Sequence, residues 1–327
     1  MARVASVDRD QLLVLVPGGS FRAKLSGRLM FKSAEASERP CVGDWVCVEA
    51  SGPGQTAVVH GVLERRTWLR RKAAGESVEY QMIAANIDFV IVVQSCHYDF
   101  NLKRLERYWV MIEDGGAQPL VLLTKTDLVS ADELQLQVEQ ILNAGLTDAV
   151  LTLSNVTAQG LGQLEGILIP GKTYCFVGSS GVGKSTLINA LVGQDLMKTS
   201  GVSGSGEGRH TTVRRELVQL ENGALVIDNP GMREFGVAAA DDGLEASFSD
   251  IMALASRCRF RDCSHSSEPG CAVLQALQCG EISAEHYANF GKLRQESAHY
   301  EMSYAEKRKK DREFGRFIKT AKKDLDD

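Results

Sequence analysis

The stretch Gly178-Ser179-Ser180-Gly181-Val182-Gly183-Lys184-Ser185, followed by Thr186, fits the pattern G-x-x-x-x-G-K-[ST] in full. An apolar run, Tyr174–Val177, precedes it, and a helix-forming run, Leu187–Leu191, follows. A strand, a glycine-rich loop and a helix in that order leave few folds open. The loop belongs at the carboxyl edge of a mainly parallel sheet with helices on both faces. The glycines let backbone N–H groups converge on phosphate oxygens, and the helix N-terminus adds partial positive charge. Lys184 is expected to reach the β- and γ-phosphates, and the Ser185 hydroxyl to bind Mg²⁺.

The surrounding sequence has the grammar such a sheet needs. From about Ile83, apolar strand-like runs (NIDFVIVV, PLVLL, AVLTL, TYCFV, ALVI) alternate with helical ones (LKRLERYWVMIED, DELQLQVEQILNAG, KSTLINALVG). Polar motifs follow the runs. After Ala224–Ile227 comes Asp228-Asn229-Pro230-Gly231. There Asp228 is expected to hold the Mg²⁺ shell and the Gly231 N–H to meet a γ-phosphate. Between the two motifs, Ser200–Thr212 carries Gly201, Gly204, Gly206 and Gly208. Such a segment orders on a ligand, as a switch loop must. Thr211 or Thr212 could complete the magnesium shell, and Thr212 is favoured.

Thr124-Lys125-Thr126-Asp127 ends the PLVLL strand and Ser154 ends AVLTL. The first is similar to the [NT]-K-x-D element that reads guanine. Its lysine stem packs on the base, and its carboxylate accepts from N1–H and the exocyclic amine, a donor pair adenine lacks. Ser154 stands where a backbone contact to the guanine O6 would lie. These base-reading elements precede the phosphate loop, so the order is permuted: base elements, phosphate loop, switch loop, D-x-x-G. A parallel sheet tolerates the reconnection because every site stays at the same strand ends. The segment after the last motif then becomes a domain boundary near Gly236.

Outside this core the pattern changes. Residues 1–72 hold short runs (LLVLV, FRAKLSGRLMF, DWVCVEA, AVVHGVLE) broken by Gly-rich turns, which predict a small β-barrel. They carry twelve Lys/Arg against seven Asp/Glu, and residues 307–323 carry nine against two, although the whole chain has net charge −5. Basic ends around an acidic middle point to contacts with a polyanion. The charged C-terminal helix expected over 301–323 could bind that partner or fold back, and charge does not distinguish the two. No run reaches membrane-span length, and the N-terminus lacks a secretory apolar region, so a cytoplasmic chain is expected. Cys258-x4-Cys263-x-His265-x5-Cys271 places three thiols and an imidazole within fourteen residues. That set suits a closed, tetrahedral structural Zn²⁺, with Cys279 left over.

This combination resembles the RsgA (YjeQ) family of circularly permuted GTPases, over essentially the whole chain. The carrying motifs are GSSGVGKST, GRHTT, DNPGMREF and CRFRDCSHSSEPGC. The resemblance implies an α/β fold: a permuted P-loop GTPase domain (73–236) between an OB-type barrel (1–72) and a helical zinc-binding domain (237–327). It also implies GTP hydrolysis stimulated by the 30S subunit, contacts to 16S rRNA, and a monomer. An alternative is a GTP-regulated RNA-binding adaptor with little turnover. Two positions depart from the family's usual pattern. Thr124 replaces a frequent Asn, which predicts loss of one side-chain contact to the base or the phosphate loop. Asn229 replaces Thr. Met232 stands where other GTPases carry a water-positioning Gln and cannot orient water, so the resemblance points to His210 in the switch loop for that task.

Overall fold

The computed structural model describes residues 1–8, 11–33, 36–49, 56–72, 80–193, 215–228 and 241–301. The chain begins with β1 (Ala2–Val7), β2 (Leu12–Val16), β3 (Gly19–Leu25), α1 (Gly27–Lys32), β4 (Trp45–Glu49) and β5 (Ala57–Val62). These strands close on themselves in the order β1-β2-β3-β5-β4-β1, with β3–β5 parallel and the rest antiparallel, an OB-type closure. The barrel core is made of small side chains, Ala2, Val4, Leu12, Val14, Ala23, Val46, Ala57 and Val59, as a narrow interior requires. In β3 the period of two puts Ala23 inside while Arg22 and Lys24 face water.

The run FRAKLSGRLMF reads as one strand-like segment in sequence, yet it divides. The strand stops at Leu25, and the Ser26 hydroxyl accepts from Leu29 N at 3.2 Å, capping α1. β1 was not legible beforehand, because its interior residues include Arg3 and Ser6, which are buried by tertiary partners.

A two-stranded ribbon, β6 (Trp68–Lys72) and β7 (Tyr80–Ala85), leads into β8 (Phe89–Ser95), α2 (Leu102–Asp114), β9 (Gln118–Thr124), α3 (Ala131–Asn143), β10 (Val150–Leu153), α4 (Leu161–Ile167), β11 (Thr173–Val177), α5 (Lys184–Val192), β12 (Glu216–Gln219) and β13 (Leu225–Asp228). The sheet order is β10-β9-β8-β11-β13-β12, parallel except for β12. Successive residues of β8 feed opposite cores. Val90 and Val92 join the layer containing α2 and α3, and Ile91 and Val93 join the layer containing α4 and α5. A strand buried on both sides reads as an unbroken apolar run, which is how NIDFVIVV presents itself. The ribbon, β12 and α4 are too short or too polar to have been read from sequence.

β12 also pairs with β1 of the barrel through Ser6↔Glu216, so barrel and sheet form one continuous eleven-stranded sheet. Arg3 locks that junction. Its guanidinium donates to Gly43 O (3.1 Å), Asn86 O (2.8 Å) and Thr173 Oγ1 (3.0 Å). The ribbon is pressed against α2, where a Cβ on Gly115 would sit 1.8 Å from Trp68 O.

The C-terminal part is helical: α6 (Asp241–Ser247), α7 (Ser249–Ala255), α8 (Ala272–Cys279) and α9 (Ala284–Glu301). α6 lies directly on α2, since a Cβ on Gly243 would fall 2.0 Å from Val110 O. A polar knot ties α2, α7 and α9 together. Buried Glu106 meets His286 (3.4 Å) and Asn289, while His286 Nε2 lies 3.2 Å from Asp250 Oδ2. Beyond Glu301, the last residue of α9, the charged helix expected over 301–323 lies outside the described residues, as does the boundary near Gly236.

Candidate nucleotide site and metal centre

The carboxyl ends of β8, β9, β10, β11 and β13 gather at one edge of the sheet, because those strands are parallel and in register. The loop Gly178–Gly183 joins β11 to α5. Gly178 has φ +142°, and a Cβ there would sit 2.2 Å from Val93 O, so a glycine is required for the loop to lie on β8. Gly181 and Gly183 also adopt positive φ, +82° and +99°. Val182 is buried, Ser179 and Ser185 are half-buried, and Ser180 and Thr186 are exposed.

Lys184 opens α5 and is 5% exposed. Its ammonium donates to Gly178 O (2.7 Å) and Ser179 O (2.6 Å), which holds it across the loop. Burial pushes its pKa down to about 8, against the opposing pull of Asp228 and Asp99. Asp228 closes β13, buried, in register with Phe176 of β11 on one side and Glu216 of β12 on the other.

The base elements reach the same edge. Thr124 is fully buried at the end of β9, and its hydroxyl donates to Val182 O at 2.6 Å, with Gln94 O at 3.2 Å. Of the two contacts that a threonine here puts at stake, to the base or to the phosphate loop, the one to the loop is present, because β9 runs close enough for one hydroxyl to span the gap. Lys125 takes left-handed backbone (φ +57°). Asp127, exposed in the following turn, accepts from the Ser154 hydroxyl at 2.5 Å. Ser154 Oγ in turn accepts from Val156 N (3.2 Å) and Thr157 N (3.1 Å). Thr126 lies half-buried in the same turn. Thus Thr124 bonds the phosphate loop directly, while Asp127 and Ser154 bond each other at the same sheet edge. Thr212, His210, Gly231 and Met232 lie outside the described residues, as does Asn229.

Three features were not anticipated. Asn155 Nδ2 donates to Gly183 O (3.3 Å), a second tie from the β10 turn to the loop. Gln94 and Asn101 exchange two bonds (3.0 and 3.1 Å), closing the turn after β8. Arg104, in the first turn of α2, pairs with Asp99 of the turn after β8 at 2.8 Å. Amide and charged side chains in a turn carry no periodic signal, so only their assembly reveals them.

In the helical part, Cys258, Cys263, His265 and Cys271 bring their ligand atoms within 4.8 Å of one another. Cys258 Sγ lies 3.8 Å from Cys271 Sγ, and His265 Nδ1 lies 3.6 and 3.4 Å from those sulfurs. Metal–ligand bonds of ~2.3 Å to sulfur and ~2.05 Å to nitrogen at tetrahedral angles require edges of about 3.8 and 3.6 Å. The donor set therefore fits a four-coordinate metal. His265 adopts φ +62°, a left-handed backbone that a non-glycine residue keeps only when its surroundings impose it. The Tyr287 hydroxyl fixes the His265 carbonyl at 2.6 Å. Cys279 is exposed and stands apart from the four.

A glycine-rich loop between a parallel strand and a helix, bonded to the ends of β9 and β10 that come earlier in the chain, defines a P-loop nucleotide hydrolase of permuted order. The RsgA GTPase family profile matches residues 62–238. A Listeria monocytogenes protein named small ribosomal subunit biogenesis GTPase RsgA 2 is 44% identical over 299 residues, spanning 91% of this chain and 84% of that one. The structure of YjeQ from Thermotoga maritima superposes with a TM-score of 0.66 at 26% identity, over 89% of this chain and 96% of that one. YloQ, described as a circularly permuted GTPase, gives 0.62 at 27% identity, over 93% and 96%. The chain belongs to the RsgA GTPase family and is a P-loop GTP hydrolase with a circularly permuted GTPase domain, an N-terminal barrel and a helical C-terminal region. No helix among the described residues is long and apolar enough to cross a membrane.

Proposed function

We propose that this protein is a cytoplasmic, monomeric assembly factor that hydrolyses GTP to GDP and phosphate late in maturation of the 30S subunit. It would bind 16S rRNA through its barrel and its zinc-bearing module, and the subunit would stimulate turnover. The observation that carries the reading is the convergence at one sheet edge of two bonded pairs, Thr124 on Val182 O and Ser154 on Asp127, in a chain whose relatives are named for small-subunit biogenesis. The proposed division is barrel 1–72, GTPase domain 73–236 and zinc domain 237–327.

In this reading the N–H groups of Gly178–Thr186 cradle the phosphates, and Lys184 moves from the loop carbonyls onto the β/γ-oxygens. Phosphate charge restores a fully protonated Lys184. Thr124, Lys125, Thr126 and Ser154 shape the base pocket, and Asp127 selects guanine. Ser185, Asp228 and Thr212 would hold Mg²⁺, which supplies charge neutralisation at the phosphates. Gly231 N–H meets the γ-phosphate. His210 orients the attacking water, since Met232 cannot. Cys258, Cys263, His265 and Cys271 hold one structural Zn²⁺, and with four protein ligands its role is to fold the module.

The test is steady-state GTP and ATP hydrolysis by the purified protein alone and with 30S or 50S subunits. Stimulation of GTP turnover by 30S alone, lost in His210→Ala, is the expected result. No acceleration by either subunit would refute the assembly role and favour a nucleotide-regulated RNA adaptor.

A further inference from the structure

Beside the four-ligand cluster, a cleft of about 500 Å³ opens between the helices and the cysteine loop. Its apolar walls come from Leu244 on α6, Met252 on α7 and Phe290 on α9, and its outer side from Phe260, Arg261 and Arg294. Leu244 and Phe290 are each 5% exposed, whereas Phe260 is 42% exposed and both arginines face water. Exposure alone says little, since Phe31 and Tyr98 are more open still; what sets Phe260 apart is its place on the rim of an apolar cleft beside two arginines. Phe260 is also held in place. It lies between the ligand residues Cys258 and Cys263, and the Arg259 guanidinium sits over its ring at 5.4 Å from the centroid. Gly270 packs beneath Arg259, since a Cβ there would come within 3.1 Å of the Arg259 Cβ. The loop Arg257, Arg259, Phe260, Arg261 interleaves cations with an aromatic ring, and Arg294 adds a fifth member from α9.

The chemistry narrows the occupant. A purely apolar ligand would leave two guanidinium groups without a purpose, and a free inorganic anion would leave the aromatic and aliphatic walls without one. A planar heterocycle joined to phosphates uses both. Its base stacks on a ring, and its backbone meets arginine forks that match phosphate geometry. The volume lies in the range of clefts that enclose one small organic moiety. A base in a duplex keeps its faces stacked on neighbours, so the cleft suits an unpaired one.

We propose that this cleft captures a single unpaired nucleotide of an RNA strand, with the base against Phe260 and the adjoining phosphate between Arg261 and Arg294. This rests on the RNA-binding reading above and deepens it, because it names the pocket and the state of the strand. The zinc module is then more than an adhesive surface. It selects places where a base is free to leave its stack.

The test uses the full-length protein with two probes. One is a labelled single-stranded RNA of about ten nucleotides, within the span one binding module covers. The other is the same sequence as a duplex. Co-sedimentation with purified 30S subunits runs in parallel. The wild type is expected to prefer the single strand. Phe260→Ala should weaken that binding about tenfold or more, and Phe260→Trp should keep it. The Arg261→Ala/Arg294→Ala double variant should bind more weakly and flatten the salt dependence by about 0.7 in log–log slope, the loss of one neutralised phosphate. Bound zinc per chain and GDP affinity report whether each variant is folded. If Phe260→Ala loses zinc, Phe260→Trp and the arginine variant decide the question. If folded variants bind like wild type while wild type binds 30S, the pocket assignment is overturned and the RNA role stands. If the wild type binds neither RNA nor subunits, the RNA-binding reading falls, and this inference with it.

Discussion

Replacing His286 with glutamine would test how the C-terminal helices are fastened to the GTPase domain. His286 lies on α9, its side chain 15% exposed, between Glu106 of α2 and Asp250 of α7. Bonds to Asp250 and Glu106 outweigh burial and raise its pKa from 6.5 to about 9. At 1.36 kcal/mol per pH unit, a shift of ~2.5 units corresponds to about 3 kcal/mol. Asp250 is 55% exposed and screened by water, so roughly 2–3 kcal/mol is the reasonable expectation. The sign follows from the direction. The folded pKa lies above the unfolded one, so the contribution is complete below pH ~6.5 and is lost as pH rises through about 9. Urea unfolding followed by tryptophan fluorescence, with Trp109 buried on α2, should show wild type losing its advantage over H286Q between those limits. A difference between the two proteins that stays constant from pH 6 to 9.5 would refute the reasoning, because the pair would then carry no charge-dependent stability.

Other outcomes follow from the nucleotide edge and the metal centre. Lys184 has a pKa of about 8 without phosphate, so binding above that pH must take up a proton. GDP affinity should be flat below pH 7 and fall toward tenfold per unit by pH 9; an unchanged affinity at pH 9 would contradict this. Thr124→Val removes the donor to Val182 O and leaves a buried carbonyl unmet, which should cost about 1–3 kcal/mol of stability, read as a lowered midpoint in urea unfolding. Gly178→Ala forces a methyl to 2.2 Å from the Val93 carbonyl, so calorimetry should show no GTP binding heat and thermal unfolding a lowered Tm. Cys271 both belongs to the ligand cluster and caps α8 through Leu274 N at 3.4 Å. Chelation or Cys271→Ser should therefore release one zinc per chain and reduce helix content by circular dichroism.

Those predictions draw unequally on sequence and on structure. The phosphate loop was readable because its chemistry is local: glycines, a lysine and a hydroxyl at fixed spacing between a strand and a helix determine what the segment does. The buried strands and amphipathic helices were readable for a similar reason, since periods of two and 3.6 are written along the chain. The cysteine–histidine spacing likewise announced four side chains able to share a metal before any fold was known, and the fold brings them together. Permutation of motif order was also a matter of sequence, because it concerns order alone. What only the tertiary structure decided depends on neighbours far apart in the chain. Thr124 keeps a contact with the phosphate loop because β9 happens to run within one hydroxyl's reach of Val182. Arg3 and Ser6 are buried in β1 because Asn86, Thr173 and β12 arrive to meet them, which no local pattern announces. The same holds for Asn155 on Gly183 and for the knot at Glu106. In each, the energy comes from desolvated polar groups finding partners across the fold, and a one-dimensional pattern records the groups but not the meeting.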